Sequence, residues 1–229
     1  MPTFAFFTTL SLLSSGLAFP LETRQSGPSV TITDGTVVGS TTNGIDSFKG
    51  IPFAQPPVGA LRLKPPQPFN SSFGTFDATQ DPAACPQFIN LFNPDFLPAD
   101  ALDQLLNSPL LQTATNQDED CLTINVQRPA GVSADAKLPV LFWIFGGGFE
   151  LGWAGMYDGS SIIGRSVEMG TPVIYVAVNY RVGGFGFLAG QELAGDGSTN
   201  LGLRDQRLGL QWVADNIGAF GGDPEKVTM

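Results

Sequence analysis

The hydrophobic pattern of this chain changes period along its length. Short β-like runs separated by turn residues come first, over Val30–Thr33 and Thr36–Val38. Residues 49–68 (KGIPFAQPPVGALRLKPPQP) then show no helical period. Their prolines fix φ and remove amide donors, which predicts an extended wrap over a surface. Stronger strands follow at Leu122–Val126, Pro139–Phe145 and Pro172–Asn179. The last two are continuous apolar runs, the pattern of strands covered on both faces by helices. Over 203–217 the period becomes helical, with Leu208, Trp212, Val213, Ile217 and Phe220 at helical spacing and Gly218 as the stop. Lys226–Met229 reads as the start of a further strand.

Two segments carry apolar residues without a strand pattern. Positions 4–18 are apolar or small, and Gly16-Leu17-Ala18 is a small-x-small sequence. This predicts a secretory signal over 1–18, followed by a short pro-segment or linker over 19–29, although a positively charged start is missing. A core segment or membrane anchor is the other reading, but the run is shorter than the roughly 20 residues of a spanning helix. The stretch 86–120, between Cys85 and Cys121, is rich in Phe and Leu and predicts one or two short helices. In a secreted chain an even cysteine pair reads as a disulfide, with two buried free thiols as the alternative. Asn70-Ser71-Ser72 is the single N-x-[ST] sequon and makes Asn70 a glycosylation candidate.

Composition narrows the function classes. The chain has 229 residues, 11 Lys plus Arg against 21 Asp plus Glu, a net charge of −10 and no histidine. That balance argues against nucleic acid or anionic lipid as a partner, since both need a basic face. A hydrophobic content of 42% and a mean hydropathy of +0.11 are those of a globular chain. Without histidine no Ser-His-Asp triad can be assembled from these residues alone. Two cysteines cannot close a zinc site either, and the sequence calls for no cofactor and no metal.

Gly146-Gly147-Gly148-Phe149 directly follows the apolar strand 139–145. A glycine run leaving a buried strand lets backbone N–H groups point into a cavity with no Cβ in the way. That suits an oxyanion hole, as in the HGGG-type loop of lipases and esterases, although Phe145 stands at the His position. A plain glycine turn is the simpler alternative. Gly184 to Ala189 matches a G-x-G-x-x-A dinucleotide fingerprint, but the glycine-rich residues after it give poor support for the helix that motif needs.

The combination of motifs resembles the type-B carboxylesterase/lipase family of the α/β-hydrolase fold. The resemblance is carried by Phe48 to Ala54 with Pro56-Pro57, Glu119 to Val126 through Pro129, and Trp143 to Phe149. Asn179-Tyr180-Arg181-Val182, Asp205-Gln206-Arg207 through Trp212, and Phe220 to Pro224 continue it in the family's order. Glu150, Asn179-Tyr180-Arg181 and Trp212 to Ile217 are most similar to the fungal secreted lipases and esterases.

The resemblance implies an α/β architecture, with residues 30–229 as the N-terminal portion of an α/β-hydrolase domain: a mixed, mostly parallel sheet with flanking helices. It implies a secreted carboxylic ester hydrolase working through an acyl-enzyme on a small-molecule or lipid ester. Gly147 and Gly148 match the family's oxyanion-hole glycines, with Gly146 supporting the turn. Cys85 and Cys121 match its first disulfide. Arg62 with Glu119, and Arg181 with Asp205, match two partly buried internal salt bridges. The loop 86–120 matches the lid that meets a lipid surface, with an ordinary packed surface loop as the alternative. Phe220-Gly221-Gly222 leads in the family toward G-x-S-x-G, which places the nucleophilic serine about four residues past Met229, with acid and histidine later still. On that expectation the chain ends before its triad and is inactive alone. The alternative is a non-catalytic, cholinesterase-like adhesion relative or a pseudogene product.

Overall fold

The computed structural model describes residues 27–87 and 116–229. The expected signal over 1–18, most of the 19–29 segment and the middle of the 86–120 loop lie outside the described residues. The chain starts with β1 (Ser29–Ile32) and β2 (Gly35–Val38), an antiparallel hairpin that β5 (Gly74–Asp77) extends in parallel. The second sheet has six strands: β3 (Ser40–Thr42), β4 (Ile45–Pro52), β6 (Thr123–Pro129), β7 (Leu138–Ile144), β8 (Ile174–Val178) and β9 (Gly222–Thr228). Their order is β3-β4-β6-β8-β7-β9.

The sheet is mixed, as expected, but parallel pairings are not its majority among the described strands. β3/β4, β4/β6 and β6/β8 are antiparallel, while β7/β8 and β7/β9 are parallel. The reason lies in the connections. A parallel pair needs a long crossover, and the helix α1 (Ser160–Glu168) lies between β7 and β8 to provide one. The short turn between β3 and β4 permits only a hairpin. Two short helices, α2 (Gly183–Phe187) and α3 (Gln191–Gly195), lead to α4 (Leu201–Asn216) and then to β9.

Alternation along the strands divides the core between the two sheet faces. Ile174, Val176 and Val178 of β8 join Ile124 and Val126 of β6, Val140 and Phe142 of β7, and Trp212, Val213 and Ile217 on the α4 side. Tyr175 and Ala177 face the other way and pack with Ile163 of α1. All five β8 residues are buried, as a doubly covered strand requires. β7 departs from that expectation: Trp143 remains 37% exposed, held on one side by the Tyr157 ring at 5.3 Å.

The proline-rich wrap is shorter than expected. Its first residues belong to β4, which pairs with β6 as far as Pro52 opposite Thr123. Beyond Pro52 the chain is not extended throughout: a 3-10 turn interrupts it at Gly59–Leu61, and it closes on itself through Gln55 N–H to the Gln67 carbonyl, with Ala54 bridged to Pro68. Buried Arg128, which no sequence signal marked, ties this side together. It reaches the Asp46 carboxylate at 3.3 Å, donates to the Phe220 carbonyl at 3.0 Å and lies over the Phe48 ring.

Candidate active site

β7 ends at Ile144, and the backbone then turns sharply through Gly146–Phe149. Gly147 has φ +143° and Gly148 φ +65°, and a Cβ on Gly147 would collide with the Leu151 carbonyl oxygen. Only glycine meets both conditions at Gly147, which accounts for the residue type. The Gly147 carbonyl accepts from the amides of Glu150 and Leu151 at 3.1 and 3.2 Å. Among the described residues, the Gly147 and Gly148 amides have no acceptor, and both glycines are exposed at the C-terminal end of a parallel strand. The turn therefore presents two unspent N–H donors on a fixed scaffold.

Three sets of contacts hold it. The buried Phe145 ring stacks on Tyr180 at 4.2 Å, and the Tyr180 hydroxyl donates to the Phe145 carbonyl at 2.7 Å. Gly183 N–H donates to the Phe149 carbonyl at 2.7 Å, and the Phe149 ring lies 4.8 Å from that of Phe187. Phe149 itself has φ +63°, an unusual conformation for a bulky residue, which these contacts sustain. Gln87 clamps the far end: its Oε1 accepts from Gly152 N–H at 2.8 Å, and its Nε2 donates to the carbonyls of Gly152 and Cys85. Gln87 and Gly152 brace the turn, a contact that the sequence did not reveal. Their contact spans 65 residues, and no local pattern encodes it.

Cys85 and Cys121 form a disulfide with Cα atoms 5.0 Å apart, which removes the free-thiol alternative. The bridge and Gln87 together connect the base of the 86–120 loop to the glycine turn. Asn179 completes the support, accepting from Ala154 N–H at 2.8 Å and donating to the Ala83 carbonyl at 3.0 Å. Three consecutive residues thus serve three partners: Asn179 the loop after the turn, Tyr180 the residue before it, and Arg181 the helix α4.

Arg181 grips Asp205 through two parallel bonds, Nε to Oδ2 at 2.9 Å and Nη2 to Oδ1 at 2.7 Å, and donates to the Lys64 carbonyl from Nη1. The pair is fully buried rather than partly so. Burial pushes the Asp205 carboxyl up from its ordinary range, and the Arg181 guanidinium and backbone amide pull against that shift. Arg62 and Glu119 also pair, at 2.6 Å, and this bridge is the more exposed of the two: the side chains are 53% and 21% exposed. Asn70 is exposed, and its Oδ1 accepts from Gln55 Nε2. At the dinucleotide fingerprint 184–189 only five-residue helices form, α2 within it and α3 just after it, in residues expected to give poor support for a helix. Gly186 packs its backbone onto the Arg181 carbonyl, where a Cβ would collide. Among the described residues no group of three or more His, Cys, Asp or Glu is placed to hold a metal ion.

The model of the carboxylesterase family matches residues 26–229. Secreted lipase 1 of Botryotinia fuckeliana is 56% identical over 236 residues, covering 100% of this chain and 41% of that protein. A secreted triacylglycerol lipase of Gibberella zeae is 57% identical over 210 residues, covering 91% of this chain and 36% of its own length. Among solved structures, Aspergillus niger EstA superposes with a TM-score of 0.72 at 32% identity, over 88% of this chain and 35% of that one. The chain spans about two fifths of the length of the curated relatives it matches. The described sheets and helices form part of an α/β-hydrolase domain, and the chain belongs to the carboxylesterase family.

Proposed function

We propose that this chain supplies the oxyanion-binding turn of a secreted carboxylic ester hydrolase. The observation that carries the reading is the pair of unspent amides at Gly147 and Gly148, on a turn braced by Tyr180, Gly183 and Gln87. In acyl transfer a serine attacks the ester carbon and a tetrahedral oxyanion develops. Donors fixed before the reaction stabilise that charge without reorganisation, each typically worth about 10²–10³ in rate. Gly146 supports the turn. The sequence contains no histidine, so the general base comes from outside these residues, and the chain alone turns over no ester.

The substrate on this reading is a small-molecule or lipid ester. The apolar stretch within 86–120 meets a lipid surface, the segment 1–18 directs secretion, and Asn70 carries a glycan. Both fungal relatives are named secreted lipases, which supports the extracellular part of the reading. The net charge of −10 fits a chain with no nucleic-acid partner.

A chimera tests it. Joining this chain to the part of the Botryotinia relative beyond the matched region should give a protein that hydrolyses p-nitrophenyl butyrate, while the purified chain by itself does not. In the chimera, Gly147→Ala and Gly148→Ala keep the amides but shift the turn that aims them, through the collision with the Leu151 carbonyl and the φ of +65°, and should lower kcat with little change in KM. A folded, active chimera whose kcat is indifferent to both substitutions would overturn the assignment. So would an organophosphonate label on the chain alone.

A further inference from the structure

The α4 side of the six-stranded sheet is apolar, but alternate residues of β4 and β6 on the α1 side are not: Ser47, Lys49, Asn125 and Gln127 all carry hydrogen-bonding groups. Strand residues beneath a helix are ordinarily apolar and packed. Here they line a cleft of about 230 Å³ together with Tyr157 and Asp158. Gln127 is spent on the fold, accepting from Gly159 N–H at 2.8 Å and donating to Asp158 Oδ1 at 2.8 Å.

Asn125 and Ser47 are not spent. Asn125 is only 8% exposed; its Oδ1 accepts from Gly50 N–H at 2.8 Å, and its Nδ2 donates to no described residue. Ser47 Oγ is buried with no hydrogen-bond partner among the described residues. An unpaired buried hydroxyl costs stability, so a cleft that keeps one beside the unpaired Asn125 amide suits a ligand that pairs with both. Nearby, Lys49 Nζ meets Asp81 at 2.7 Å, and the Asp158 carboxylate faces the same space. The Tyr157 ring, braced by Trp143, adds an aromatic wall.

The geometry points to a neutral, sugar-sized polyol as the ligand of this cleft. Amide and ammonium donors beside carboxylate acceptors match vicinal hydroxyls, which both donate and accept. A fixed aromatic face suits the C–H side of a sugar ring. At ~30 Å³ per water the volume corresponds to about eight waters, and it is smaller than the roughly 300 Å³ at which drug-sized pockets begin. Two carboxylates against one ammonium disfavour acidic sugars. None of the lining residues belongs to the glycine turn, so the inference stands independently of the ester hydrolase reading.

The test is a titration of the 229-residue chain with D-glucose, D-mannose, D-galactose and sorbitol, with glucuronate as the acidic control, read by saturation-transfer NMR. At least one neutral probe should saturate with Kd in about the millimolar range, and glucuronate should bind at least ~10-fold more weakly. Ser47→Leu fills the cleft without removing a protein hydrogen bond and should weaken binding ~10-fold or more. Thr42→Lys, at the exposed mouth, is the second variant and should weaken binding even if Ser47→Leu disturbs the fold. No saturable signal from any of the four neutral probes, as for a cleft that holds water only, overturns the inference. Binding that both folded variants leave unchanged overturns it equally.

Discussion

The Tyr180 hydroxyl donates to the Phe145 carbonyl at 2.7 Å while the two rings stack at 4.2 Å. The residue that leaves β8 therefore fixes the residue that opens the glycine turn after β7. Because β7 and β8 are parallel neighbours, their C-terminal ends emerge side by side and this contact is available. Tyr180→Phe keeps the stack but leaves a buried carbonyl without its donor. Chemical denaturation should show a loss of about 1–3 kcal/mol, the cost of an unsatisfied buried group.

The glycines of the turn should not respond alike to substitution. Gly146 has ordinary φ and open space at its Cβ position, whereas Gly147 is at φ +143° with the Leu151 carbonyl in the way. Gly146→Ala should leave the thermal midpoint of the chain nearly unchanged. Gly147→Ala should lower stability by at least about 1 kcal/mol, the scale of a strained backbone residue. Parallel melts of the two variants provide the comparison.

The two family salt bridges should separate by burial. Arg181→Met leaves the Asp205 charge buried without its partner and should cost about 3–5 kcal/mol in urea unfolding. Arg62→Ala removes the half-exposed bridge to Glu119, and its unfolding midpoint should match that of the parent chain within error.

The disulfide closes a loop with a sequence separation of 36. Cys85→Ser with Cys121→Ser should lower stability by about 4 kcal/mol on the chain-entropy account. The same double substitution should loosen the Gln87 clamp, since Gln87 Nε2 donates to the Cys85 carbonyl. Faster amide exchange at Gly152 would register that second effect.

Burial pushes the Tyr175 phenol up to about 12, with the Asp158 charge and Tyr157 adding to the shift. The unfolded phenol titrates near 10, so between these values the folded state holds the proton that the unfolded state has lost. The corresponding stability is complete below about pH 10 and disappears as pH rises toward 12. Absorbance at the tyrosinate band should show this phenol ionising together with unfolding. Tyr175→Phe should flatten the alkaline fall in the unfolding free energy.

The sequence by itself determined the elements whose pattern is local. The continuous apolar runs placed β7 and β8 within two residues of their ends, and the helical period placed α4, because side-chain alternation and 3.6-residue spacing follow from backbone geometry alone. Motif wording located the glycine turn, the cysteine pair and both salt bridges. It missed β4, whose second half lies in a proline-rich stretch that looks extended whether or not it pairs, and it missed α1, whose nine residues offer only about two and a half turns of pattern. What only the tertiary structure decided is which distant residues meet: Gln87 at Gly152, Tyr180 at Phe145, Arg128 at Asp46, and the polar faces of β4 and β6 around one cleft. It also decided that Arg181–Asp205 is buried while Arg62–Glu119 is not, since burial depends on what the rest of the chain lays over a pair and not on the residues that form it.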